Sequence, residues 1–529
     1  MVTPIRLISG FLTVGVWTMA SRILGFVRDI LIAAWLGTGP VAEAFLIAFA
    51  LPNMFRRFFA EGAFNMAFVP MFSKKVEAGD GAKAFAQDAF TAMIFILGAF
   101  TALAMIAMPA LVYAMASGFA GDARFELTVA FGRVAFPYIF FISLAALLSG
   151  VLNATGRFVA AAAAPVLLNV IFIAVLLGAI VVPAAPVETY PGVPYETLHV
   201  GSILVWAVPV AGIAQLALVW IAAARAGFRL VPRRPRMTPE LKRLAIIAAP
   251  AALAGGVVQI NLLVGRQVAS FFDGAIAWLS YADRLYQLPL GVVGIAIGVV
   301  LLPELSRRLQ ADDTEGGRDA LSRAAEVSLV LSVPAAVGLG VVPTALIAAL
   351  FERGAFGPTD TSATALATAI YGLGLPAFVL QKVLQPLFFA REDTRRPFYY
   401  ALVALVVNAL VAIGLAPFIG YIAAAVGTTL AGWAMLALLW VGSRDMGPAA
   451  QFDARFKARL WRIVAAALLM GVVTWGVQRG VIGWMDTSGG TFAALFAIMS
   501  AALASYAIAG FLFGAFRKSD LAEAFRRQR

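Results

Sequence analysis

Cations fall inside long apolar stretches of this sequence at Arg22, Arg28, Arg56, Arg57, Arg133, Arg266, Arg284 and Lys382. A charged side chain at the centre of a membrane helix costs roughly 2.5–3.5 kcal/mol on insertion scales, so such residues face a watery cavity or a partner. Candidate partners are Asp29, Glu43, Glu61 and Asp283. Arg22 and Asp29 are seven residues apart and share a helical face; Arg57 and Glu61 are i, i+4 neighbours. Both pairs are open to a purely structural reading as clamps. Arg28, Arg56 and Arg284 have no equally obvious partner three or four residues away. Arg133 and Lys382 fit equally well near helix ends, on terminal carbonyls. Several convergent guanidinium groups point to an anionic ligand, because they grip phosphate in a bidentate fork and stay charged at any relevant pH. Such a cavity suits a diphosphate or an acidic headgroup and repels a hydrophobic cation. Arg22 and Arg28, six apart, point about 120° apart on a straight helix, and a break at Gly25 would turn both toward one cavity.

Other chemistries are poorly supplied. There is no cysteine, which removes disulfides, Cys-ligated zinc and thiol nucleophiles. The one histidine, His199, is expected in an external loop. Neither G-x-x-x-x-G-K-[ST] nor H-E-x-x-H occurs. No catalytic residue, metal ligand or cofactor is assigned.

The elements that must carry these residues are membrane helices. The 529 residues are 62% hydrophobic and 13% charged, with mean hydropathy +0.91; a soluble domain is roughly 45–50% apolar and about 25% charged. Hydropathy and breakers predict about fourteen spans at roughly 20 apolar residues per crossing. They lie near 10–36, 42–70, 86–116, 127–152, 158–182, 199–224, 244–272, 275–303, 324–350, 361–390, 397–418, 420–442, 460–479 and 491–516. Pro52, Pro109, Pro209, Pro289, Pro334, Pro343, Pro376 and Pro386 are candidate kinks. Of the 40 lysines and arginines, most fall on one side of this layout, and only Arg124, Arg353 and Arg479 on the other. That asymmetry predicts both termini in the cytoplasm and an even helix number. It explains most of the +12 charge as topology and contact with anionic lipid, with no nucleic-acid partner. No cleavable signal peptide is expected.

The two halves echo one another. Pro137, Thr155, Arg157 and Asn169 recur as Pro376, Thr394, Arg396 and Asn408; V-P-M-F-S at 69–73 recurs as L-P-E-L-S at 302–306; Pro109 recurs as Pro343. The expected architecture is therefore all-α and polytopic: two six-helix lobes related by a pseudo-twofold, plus two C-terminal helices. The boundaries are 1–230 for the N-lobe, 231–450 for the C-lobe and 451–529 for helices 13 and 14. Parallel repeats of this kind suit alternating access.

S-R-I-L-G-F-V-R-D at 21–29 resembles the first-helix motif of the MurJ (MviN) family of lipid II flippases, as does E-A-F-L-I-A-F-A-L-P-N-M-F-R-R-F-F-A-E-G-A-F at 43–64, followed by F-V-P at 68–70. Y-A-D-R-L at 281–285 and P-L-G-V-V-G-I-A-I-G at 289–298 resemble the eighth-helix motif, and K-V-L-Q-P-L-F-F-A at 382–390 the tenth. The resemblance spans the whole chain. It implies the multidrug, oligosaccharidyl-lipid and polysaccharide exporter superfamily, with fourteen helices and a central cationic cavity. It implies that lipid II, the undecaprenyl-diphosphate-linked disaccharide-pentapeptide, is flipped from the inner to the outer leaflet of the bacterial inner membrane for peptidoglycan synthesis. Substrate contacts then fall on Arg22, Arg28, Asp29, Arg56 and Arg284. Glu43, Arg57, Glu61, Arg266 and Asp283 are accessory residues or charge partners. The last two helices would line a groove for the polyprenyl tail. The expected state is a monomer that associates with cell-wall synthesis proteins.

The sequence departs from the family in two places. Glu43 stands where relatives often have Asp. Some relatives bind sodium in the second lobe through an intramembrane carboxylate; here the seventh span offers Gln259, Asn261 and Arg266 and the eleventh Asn408, with no carboxylate in either, so no sodium site is expected. The competing readings are an exporter of another polyprenyl-diphosphate glycan or of drugs, a membrane transferase and a non-transporting scaffold. A cation-coupled drug exporter should bury carboxylates instead of arginines. A transferase needs catalytic acids, and Asp283 and Glu61 read better as arginine partners. A scaffold leaves the intramembrane cations unexplained.

Overall fold

The computed structural model describes residues 4–56, 63–179, 189–484 and 490–516. Among them the chain is helical, with no strand. The α-helices are α1 (Pro4–Leu36), α2 (Pro40–Arg56), α3 (Ala63–Ala78), α4 (Ala82–Ile106), α5 (Met108–Met115), α6 (Ala123–Ala135), α7 (Tyr138–Ala154), α8 (Val159–Gly178) and α9 (Tyr195–Arg225). They continue as α10 (Pro239–Ala269), α11 (Ala275–Gln310), α12 (Thr314–Val341), α13 (Pro343–Phe351), α14 (Pro358–Phe389), α15 (Arg395–Ile419), α16 (Ile422–Ser443), α17 (Ala454–Val481) and α18 (Gly490–Leu512). By length and composition, 10 described helices are long and apolar enough to cross a membrane. The protein is a multi-pass membrane protein. Within the described residues every expected span falls on one of these helices or on a pair of them; residues 57–62 of the second span and 180–182 of the fifth lie outside the described residues.

Proline explains two of the pairs. Pro109 and Pro343 each stand in the first turn of a new short helix, where a missing N–H costs nothing. The third span is thereby split into α4 and α5, and the ninth into α12 and α13. Pro52, Pro209, Pro289, Pro334, Pro376 and Pro386 stay inside continuous helices. Pro137 and its repeat partner Pro376 differ: the first caps α7 after a break, and the second is interior.

The chain forms two compact units. The first is Met1–Ala277 with Arg353–Phe356. Its core stacks Phe68 on Phe72 and Phe85, at centroid distances of 5.5 and 5.4 Å, against Leu144, Leu147, Leu148 and Val151 of α7. This unit runs well past the expected lobe boundary at 230, because α10 packs on α3. The far end of α10 is also tied down: Ser117 N donates to Gln267 Oε1 at 2.9 Å and Gly118 N to Ser270 Oγ at 3.0 Å. A Cβ at Gly118 would lie 2.5 Å from the Ser270 carbonyl carbon, so only glycine permits this approach. His199 is not in a loop. It lies in α9, buried and stacked on Tyr195 at 6.4 Å, since the helix starts earlier than the hydropathy suggests.

The second unit is Trp278–Glu352 with Gly357–Arg529. In it α14 packs between α12 and α16, α15 pairs with α16, and α17 pairs with α18. Buried Glu326 on α12 holds α17 in place: Arg459 Nη1 lies 3.2 Å and Arg455 Nη2 3.5 Å from its Oε2, and Arg323 completes the cluster. Asp453 N donates to Ser322 Oγ at 3.0 Å just before α17 begins.

Candidate functional site

Arg28 is the most enclosed of the expected anion-binding residues, at 6% exposure. Its Nε and Nη2 donate to Asp29 Oδ1 at 2.9 and 2.7 Å. Its Nη1 donates to Asn169 Oδ1 on α8 at 2.9 Å. The guanidinium also sits 5.9 Å from the Phe49 ring of α2 and 5.7 Å from the Phe172 ring of α8. Asn169 completes the arrangement by donating from Nδ2 to Ser21 O at 2.9 Å and Ser21 Oγ at 3.3 Å, back on α1. One cation thus fastens α1 and α8, with α2 alongside. A buried ion pair is tolerable only when its remaining polar atoms are bonded, and Asn169 meets that need.

This corrects the pairing expected from helical spacing. Asp29 is taken by its neighbour Arg28, a pair that i, i+1 geometry does not suggest. Arg22 is exposed on α1. The helix runs through Gly25 without a break. Gly25 instead lies beside Asn169, whose amide atoms would be in ordinary contact with a Cβ there at 3.6 Å. Arg56 closes α2 and is half-buried, and Arg266 is half-buried on α10. Arg57 and Glu61 lie outside the described residues. The first unit therefore carries Arg22, Arg28, Asp29, Arg56 and Arg266.

Glu43, 1% exposed, is a charge partner, and its cation is one that local spacing could not supply. Arg124 Nη1, at the start of α6, lies 3.0 Å from its Oε2, and Ile276 N donates to its Oε1 at 3.2 Å. Arg124 also pairs with Asp122 at 2.6 Å and Asp273 at 2.9 Å, over the Phe119 ring. With three carboxylates around it, Arg124 is committed to structure.

In the second unit Arg284 is half-buried on α11 beside Asp283. Asp283 Oδ2 accepts a hydrogen bond from Gln287 Nε2 one turn on. Arg133 is exposed, with Nε 3.4 Å from Met105 O near the end of α4, and Lys382 is exposed on α14. The first of these matches the helix-end role open to it. No cluster of three or more metal-ligating residues occurs among the described residues. Sequence reasoning missed Asn169 and Arg124 as partners. Asn169 left a trace as a repeat landmark, and Arg124 as one of three cations on the sparsely charged side.

The family described as "Lipid II flippase MurJ" matches residues 32–488. A probable lipid II flippase MurJ of Rhizobium tropici is 44% identical over 517 residues, covering 96% of this chain and 94% of that protein. Among solved structures, a lipid II flippase MurJ in an inward closed conformation superposes with a TM-score of 0.76 at 24% identity, covering 95% of this chain and 98% of the other. An inward-facing multidrug resistance MATE family transporter of the MOP superfamily gives a TM-score of 0.63 at 15% identity, covering 82% and 96%. Both likenesses bear on the fold.

Proposed function

Because the chain belongs to the MurJ family of lipid II flippases, we propose that it carries lipid II from the inner to the outer leaflet of a bacterial inner membrane by alternating access. It is a transporter and not an enzyme, and no covalent step is needed. Arg22, Arg28, Arg56 and Arg284 bind the diphosphate and nearby headgroup charge, with Asp29 holding Arg28 in position. The observation that carries this reading is the placement of arginines on helices whose apolar background penalises charge. Guanidinium donors already oriented by Asp29 and Asn169 lose little freedom when a phosphate arrives.

Anion binding screens repulsion among these cations and favours closure around the headgroup. The tail stays in lipid along a groove formed by residues 451–529, while residues 1–230 and 231–450 act as the two lobes. Membrane potential resets the empty carrier, since moving one charge across 100 mV is worth roughly 2.3 kcal/mol. Both termini lie in the cytoplasm, and the carrier works as a monomer beside cell-wall synthesis proteins. A headgroup-accessibility assay in cells that depend on this chain tests the reading. Arg22→Ala and Arg284→Ala, inserted at wild-type levels, should each stop lipid II from reaching the outer leaflet. Undiminished delivery by both variants overturns the assignment.

A further inference from the structure

Arg284 has neighbours that a phosphate site alone does not need. Asp283, Tyr286 and Gln287 lie at i, i+3 and i+4 on one face of α11, and Gln287 is also i+3 from Arg284. Gln287 is exposed; Asp283 and Tyr286 are half-buried. The Gln287 amide donates to the Asp283 carboxylate, one turn or about 5.4 Å along the helix. A carboxylate beside a phosphate-gripping guanidinium can serve to hold it, as Asp29 does for Arg28; the exposed Gln287 amide and the Tyr286 ring go beyond that need. An ionised carboxylate accepts hydrogen bonds only, whereas a primary amide both donates and accepts.

The aromatic side of this face is fixed. The Tyr286 ring lies 5.2 Å from Tyr371 and 5.5 Å from Phe378, both on α14. Phe378 is seated over Gly374 and Gly432, and a Cβ at either glycine would collide with its ring. Gln381 Nε2 donates to Gly432 O at 2.7 Å and holds α14 to α16 at that point. Tyr286 therefore rests on a platform that cannot shift without moving two helices. A flat ring, a carboxylate and an amide side by side match a pyranose: its apolar face lies on the ring, its hydroxyls donate to the carboxylate, and an N-acetyl group pairs with the amide.

We propose that Asp283, Tyr286 and Gln287 form the subsite for the N-acetylated sugar joined to the diphosphate, one helical turn from Arg284. This rests on the carrier reading above and assigns the sugar to the second unit. The test measures binding of two ligands, undecaprenyl diphosphate and the same lipid bearing the disaccharide, to the purified full-length chain. Gln287→Ala should bind the disaccharide lipid about tenfold more weakly, the loss expected for one hydrogen bond, and bind undecaprenyl diphosphate as wild type does. Arg284→Ala should weaken both ligands. Gln287→Asn, which keeps the amide, should recover part of the loss. The subsite is overturned if Gln287→Ala, with wild-type thermal unfolding, weakens both ligands equally or neither. A wild-type chain that binds neither ligand overturns the carrier reading instead.

Discussion

Asn169 and Asn408 occupy matching places in the two halves of the sequence, and both are buried, at 4% and 1% exposure. Their surroundings differ. Asn169 on α8 faces a cation, taking Arg28 Nη1 on its oxygen and reaching Ser21 with its nitrogen. Asn408 on α15 faces a glycine: a Cβ at Gly427 of α16 would lie 2.7 Å from its Oδ1 and 2.9 Å from its backbone O. Both positions bring two helices close beside an asparagine. In the first half a Cβ at position 25 would still fit beside the asparagine, which holds a charge. In the second half, glycine makes the room and the gain is helix packing. The repeat therefore preserves a packing position, and the described contact with a buried guanidinium belongs to Asn169.

The largest effect should come from attacking the charge. Asp29→Ala removes the carboxylate from a buried guanidinium and should destabilise the protein by about 3–5 kcal/mol, read from thermal unfolding in detergent. Asn169→Leu strands one guanidinium donor and should cost about 2–3 kcal/mol. A combined Arg28→Met, Asp29→Leu, Asn169→Leu variant replaces the network with apolar contacts and should regain most of that stability while failing to transport. If stability stays lost in the triple variant, the cluster is chiefly a packing element, like its counterpart. Gly427→Ala drives a methyl group into Asn408 and should cost about 1–3 kcal/mol with Arg28 untouched. Gly414→Ala, also on α15, meets nothing within 4 Å and should gain about 0.5–1 kcal/mol by helix propensity alone. An equal response at positions 427 and 414 would remove the second half of the comparison.

Much of the fold was legible because apolar length reports membrane spans whatever packs against them. Residues 86–116 illustrate the limit: hydropathy reads one span with a candidate kink at Pro109, and only the backbone shows that a new helix begins there. Pro52 and Pro109 look alike in sequence, yet one sits within a helix and the other begins one. Of the candidate site, the charges were legible and their pairing was not. Arg22, Arg28, Asp29, Arg56 and Arg284 were conspicuous as charges in apolar helices. The spacing argument matched Asp29 to Arg22, whereas a long arginine side chain folded back onto its own neighbour. Glu43 and Arg124 are 81 residues apart, and no periodicity spans that distance. Compact units follow contacts, so α10 joins the first unit although the repeat assigns it to the second half.

The cluster around Glu326 has a consequence for how the chain is made. Arg323 is three residues away, while Arg459 is 133 residues downstream. At roughly 5–20 residues per second, a ribosome reaches Arg459 about 7–27 s after Glu326. Through that interval α12 carries a carboxylate meant for burial with only Arg323 at hand. The second unit is therefore finished late in synthesis, and a ribosome stalled before α17 leaves an acidic helix for quality-control proteases to find.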